Sequence, residues 1–93
     1  MNIYKKITKF RDEHQNSPDY EMKRNFLEQL LIVSFNNKAN PDSLPETFDV
    51  NHIYFSEEDL IKTMAELGYT VKLETLLREW NSKFSNFRIT IIK

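Results

Sequence analysis

The sequence predicts a mainly α fold with a small β component, an α+β arrangement of four helices and a short two-stranded sheet. Two observations carry this expectation. Apolar residues recur at helical spacing in four stretches, while two short runs rich in β-formers, 50–55 and 87–92, alternate instead. Ninety-three residues, 40% apolar and 29% charged, fit one domain with one modest core. That domain divides into N-terminal helices over 1–36, an acidic loop over 37–49, and a C-terminal unit over 50–93.

Ile3, Ile7 and Phe10 fall at i, i+4 and i+7, and Tyr4 widens the stripe, so a short amphipathic helix should end near His14. Gln15-Asn16-Ser17-Pro18 breaks it. Ser17 then suits an N-cap, with Pro18 at the first helical position and Asp19 and Glu21 where the helix dipole favours acids. The helix this opens should run over 18–36. Met22, Phe26, Leu27, Leu30, Leu31 and Val33 would make it the most buried element. Residues 38–49, with Pro41 and Pro45, read as a solvated acidic loop holding Asp42, Glu46 and Asp49.

Val50-Asn51-His52-Ile53-Tyr54-Phe55 reads as a short strand. Ser56 caps the next helix, Glu57, Glu58 and Asp59 fill its first turn, and Asp59 stands where a capping box has Glu. Leu60, Ile61, Met64 and Leu67 form its stripe. Gly68, the one glycine of the chain, follows at the left-handed C-cap position. After Tyr69-Thr70-Val71, the residues Leu73, Leu76, Leu77, Trp80 and Phe84 again keep helical spacing, predicting a helix over 72–84. Phe87-Arg88-Ile89-Thr90-Ile91-Ile92 alternates and reads as a terminal strand.

The order strand, helix, tight turn, helix, strand resembles the winged-helix variant of the helix-turn-helix. The segments Ser56-Glu57-Glu58-Asp59-Leu60-Ile61, Leu67-Gly68-Tyr69-Thr70-Val71 and Thr75-Leu76-Leu77-Arg78 carry the resemblance, which covers residues 50–92. It implies that 72–84 is a recognition helix presenting Lys72, Thr75, Arg78, Glu79, Ser82 and Lys83 to duplex DNA, with Arg88 and Lys93 reaching flanking phosphates. The second wing strand is missing from the pattern, and Glu74 and Glu79 would repel phosphate from that face.

Charge divides the possibilities further. The net charge of −1 conceals +1 over 1–36, −5 over 37–67 and +3 over 68–93. The basic end fits an anionic partner, or simply the solvated face of a helix and strand. The acidic stretch Asp42, Glu46, Asp49, Glu57, Glu58 and Asp59 fits the opposite case, a protein that binds a nucleic-acid-binding host protein by mimicry, as small anti-defence and anti-CRISPR inhibitors do. Both readings allow a homodimer. Codon-level bias agrees with a mobile-element origin. Phe, Tyr, Met, Ile, Asn and Lys number 40, against 10 for Gly, Ala, Arg and Pro, which implies an AT-rich source.

Other classes find no footing. Without cysteine, signal-like N-terminus or long apolar run, a cytoplasmic protein without membrane attachment is expected. His14 and His52 lie too far apart for a zinc motif. One glycine cannot build a phosphate-cradling loop. Ser17 and Ser56 are explained as caps, Ser34 sits in an apolar stretch, and the Glu57–Asp59 acids are explained by the dipole. The sequence therefore predicts a cofactor-free, metal-free, non-catalytic binding protein.

Overall fold

The computed structural model describes residues 2–78 and 85–92, and divides the chain into two compact units, Met1–Pro45 and Glu46–Lys93. The boundary falls inside the expected 37–49 loop. The mixed α+β class holds, but the arrangement differs from the expected one. Among the described residues there are three helices and one three-stranded antiparallel sheet, not four helices and a two-stranded sheet.

The first unit contains α1 (Ile3–His14) and α2 (Tyr20–Phe35). The Asn2 side chain caps α1 by accepting from the Lys5 amide at 3.0 Å, and Ile3, Ile7 and Phe10 are buried, as the stripe requires. His14 lies against Phe10 with ring centroids 4.2 Å apart, and Lys23 Nζ sits 5.6 Å from the Phe10 centroid. α2 begins later than expected. Its N-cap is Asp19, whose side chain caps nothing, and the Ser17 hydroxyl donates to the Asp19 carboxylate instead. Ser17 thus orders the turn before the helix rather than the helix itself. The buried stripe of α2 is narrower than expected: Phe26, Leu27, Leu30 and Ser34, with Met22 exposed.

The acids of the expected loop, Asp42, Glu46 and Asp49, are exposed as expected, but Asp49 lies in a strand, Thr47–Ile53, and the backbone after α2 is tied down. The Pro41 carbonyl accepts from the Ser34 hydroxyl at 2.9 Å and from the Tyr4 hydroxyl at 3.2 Å, and the Ile3 amide donates to the Asp42 carbonyl at 3.0 Å. Ser34, the buried polar residue of this stretch, is thereby satisfied. Asn37 and Asn40 tie the loop to Ser43 by side-chain donors at 3.0 Å each.

The second unit contains β1 (Thr47–Ile53), α3 (Glu57–Glu66), β2 (Thr70–Arg78) and β3 (Ser85–Ile92), with strand order β1-β3-β2. β3 is the central strand, and its burial alternates over Ser85–Ile89. Phe48, Val50, Ile53, Phe87 and Ile89 are buried, while Asp49 and Arg88 between them are exposed, so the sheet has one apolar and one solvated face. β1 begins earlier than expected and ends earlier too, leaving Tyr54 and Phe55 outside it, and the Ile91 amide donates to the Glu46 carbonyl at 2.8 Å, extending the pairing one residue further.

α3 matches its expectation at both ends, but Ile61 of the expected stripe is exposed. Ser56 Oγ accepts from the Asp59 amide at 3.2 Å, and Leu60, Thr63 and Met64 are buried. Gly68 has φ of 96°. Its amide donates to the Ala65 carbonyl, and the Tyr69 amide donates to the Met64 carbonyl at 2.8 Å, the double bond of a Schellman motif. Thr63 escapes the cost of a buried hydroxyl by donating to the Asp59 carbonyl at 2.8 Å. α3 packs against β2.

The largest correction concerns the expected recognition helix over 72–84. Its first part is β2, and residues 79–84, with Trp80 and Phe84 of the expected stripe, lie outside the described residues. The physical reason is legible afterwards. Val71-Lys72-Leu73-Glu74-Thr75 also alternates apolar with polar, and it pairs residue for residue with β3, Leu73 opposite Ile89 and Glu74 opposite Arg88. Leu, Lys and Glu tolerate both states, so the partner strand decides.

Candidate interaction face of the sheet

The solvated face of the sheet collects side chains from all three strands. β1 contributes Thr47 and Asp49, β3 contributes Arg88 and Thr90, and β2 contributes Lys72 and Glu74, because strict alternation and the register place them opposite one another. Arg88 lies at the centre. Its Nε donates to Asp49 Oδ1 at 3.0 Å, its Nη2 reaches Asp49 Oδ2 at 3.5 Å, and its Nη1 stands 4.0 Å from Glu74 Oε2. The hydrogen bond to Asp49 and the charge of that carboxylate, then the charge of Glu74, raise the guanidinium above its ordinary pKa. Beside this row, Thr47 Oγ1 and Thr90 Oγ1 are 3.4 Å apart.

Both outer strands carry one extra residue opposite the start of β3. In β1 the shift falls between Val50 and Ile53, and in β2 between Thr75 and Leu77. His52 in the first bulge has φ of 60°, a conformation in which histidine is over-represented, and its amide donates to Asn86 Oδ1 at 2.8 Å.

The apolar side of the sheet opens near the start of α3 into a shallow hollow whose lining includes Tyr54, Phe55, Glu57, Thr75, Ser85 and Phe87. The Thr75 hydroxyl donates to the Glu57 carboxylate there. Among the described residues that carboxylate is the one acid in the lining, and no histidine accompanies it. Among the described residues no cluster of three histidines or acids is placed to hold a metal ion, and no helix is long and apolar enough to cross a membrane.

Of the described residues expected to face DNA, not all share one surface. Lys72 and Arg88 stand on the solvated face, whereas Thr75 follows the opposite parity and bonds Glu57. Arg78 belongs to β2, its side chain lying outside the described residues together with Ser82, Lys83 and Glu79. The expected acidic set is equally divided. Asp42 belongs to the first unit, Asp49 is engaged with Arg88, Glu57 accepts from Thr75, and Glu58 and Asp59 are exposed in the first turn of α3. Glu46 is exposed, and its carbonyl continues the β1–β3 pairing. Sequence reasoning missed the Asp49–Arg88–Glu74 row. The signal was present as alternation in each strand, but the register that aligns them was not.

Compared with protein-family models, with curated proteins and with solved structures, the chain matches none.

Proposed function

We propose that this chain is a non-catalytic factor that works by binding another protein, as an inhibitor or accessory protein would, with the solvated face of its sheet as the docking surface. The observation that supports this reading is the Asp49–Arg88–Glu74 row. A face meant for phosphate presents cations unopposed, because counterion release by lysine and arginine supplies most DNA affinity. Here the central arginine is hydrogen-bonded by one carboxylate and has a second 4.0 Å away, and the remaining groups are two threonines and one lysine. Such a balanced set of donors and acceptors suits the mixed charges and peptide groups of a protein surface. The second unit carries eight acidic against six basic residues, which also disfavours a polyanion.

Duplex DNA is the rival partner, and it rests on the basic residues 72–93. One titration separates the two. Fluorescence anisotropy with random-sequence duplex DNA, at low and at moderate salt, should give affinity weaker than about 10⁻⁴ M in both, below ordinary non-specific binding. Tight binding that falls steeply with salt would overturn the protein-binding reading.

A further inference from the structure

Among the described residues, the outer edge of β2 is the most specific surface feature of the second unit outside the polar row. β1 and β2 are both edge strands, yet they are not equivalent. The β1 edge is interrupted by the bulge at His52, a standard way of blunting an edge. β2 runs regularly from Thr70 to Thr75 before its own bulge, and among the described residues no backbone hydrogen bond reaches its outer side. An exposed strand of this length is a template for another strand.

We propose that this edge pairs with the same edge of a second copy of the chain, antiparallel, about a two-fold axis through Leu73. The charge pattern selects both the occupant and the register. A two-fold perpendicular to the sheet keeps solvated faces together only if it passes through a residue, since a half-step would set polar side chains opposite apolar ones. Centred on Lys72 the axis would oppose two lysines, and centred on Glu74 two glutamates. Centred on Leu73 it places Lys72 opposite the partner's Glu74, and Glu74 opposite the partner's Lys72. Val71 then faces the partner's Thr75 on the other side, so β-branched residues oppose each other. The paired segment ends at Thr75, before the bulge. The product is a continuous six-stranded sheet in which the polar row occurs twice on one face. This dimer does not depend on whether that face binds protein or DNA.

Analytical ultracentrifugation of the full chain tests it with two charge reversals, K72E and E74K. The unaltered chain should sediment as a reversible dimer. Each variant alone sets like charges opposite each other twice and should dimerise at least about ten-fold more weakly. In an equimolar mixture, the K72E chain brings two acids to the shared edge and the E74K chain brings two lysines. Both opposite-charge pairs are then restored across the axis, and the mixture should recover dimer. That recovery also shows both variants to be folded. A monomeric unaltered chain, a dimer indifferent to both reversals, or a mixture no more associated than its components would each overturn the proposal.

Discussion

The segments Glu57–Glu66 and Thr70–Arg78 are neighbours in the chain, and both carry apolar residues at helical spacing, yet one is α3 and the other β2. The difference lies at their ends. α3 has a capping serine, three acids in its first turn, and a glycine at φ of 96° that closes a Schellman motif. Each of those bonds joins residues at most five positions apart, so the helix can be specified locally. The segment after Gly68 has Thr70 ahead of its stripe, but none of the three residues that follow it is acidic. Instead Thr70, Val71 and Thr75 favour strand, and β3 offers a full row of peptide partners. Apolar spacing alone does not tell a helix from a strand when the residues are mostly leucine, lysine and glutamate. The ends and the available partner do.

The sharpest way to break that comparison is to truncate matched leucines. If both segments were helices, Leu60 and Leu76 would occupy equivalent core positions. Leu60 is fully buried in α3 and Leu76 is 40% exposed at the β2 bulge. Leu60→Ala should therefore cost about 3 kcal/mol, and Leu76→Ala no more than about 0.5 kcal/mol, in urea denaturation monitored by far-UV circular dichroism. Equal losses would contradict the strand.

Gly68 separates the two segments, and the Schellman closure needs its positive φ. Gly68→Ala should lower stability by about 1–2 kcal/mol, and Gly68→Asn by less, since asparagine tolerates the left-handed region. Differential scanning calorimetry can rank the three chains.

A smaller effect is expected at the cap itself. Ser56→Ala should cost about 1 kcal/mol and Ser56→Asp much less, because an aspartate can still accept from the Asp59 amide. Hydrogen exchange should show the added opening confined to the first turn of α3. If β2 opened equally, the cap would not be acting locally.

The smallest effect contrasts this cap with the start of α2. Asp19 caps nothing, but the Ser17 hydroxyl, and after it the Lys23 ammonium, hold its carboxyl below the ordinary value. A depressed carboxyl contributes stability that is present above its unfolded pKa and is lost as pH falls through the folded value. Acid titration of the chain should thus show a slight destabilisation beginning below about pH 4, and Asp19→Asn should flatten that part of the curve. An unchanged profile would remove Asp19 from the pH response.

What the sequence determined by itself is the local part: α1 and its buried stripe, α3 with both caps, the turn at Gly68, and the alternation of β3. Helix caps and tight turns join residues a few positions apart, so their chemistry is written contiguously. What only the tertiary structure decided is the non-local part. The pairing of 70–78 with β3 turned an expected helix into a strand and set Glu74 beside Arg88, while the pairing of β1 with β3 set Asp49 on the other side. Asp49 is 39 positions from Arg88 in sequence, and no spacing rule within one strand reveals a register set by another. The residues of β2 could serve either state, and the hydrogen bonds that settled the choice belong to a different segment.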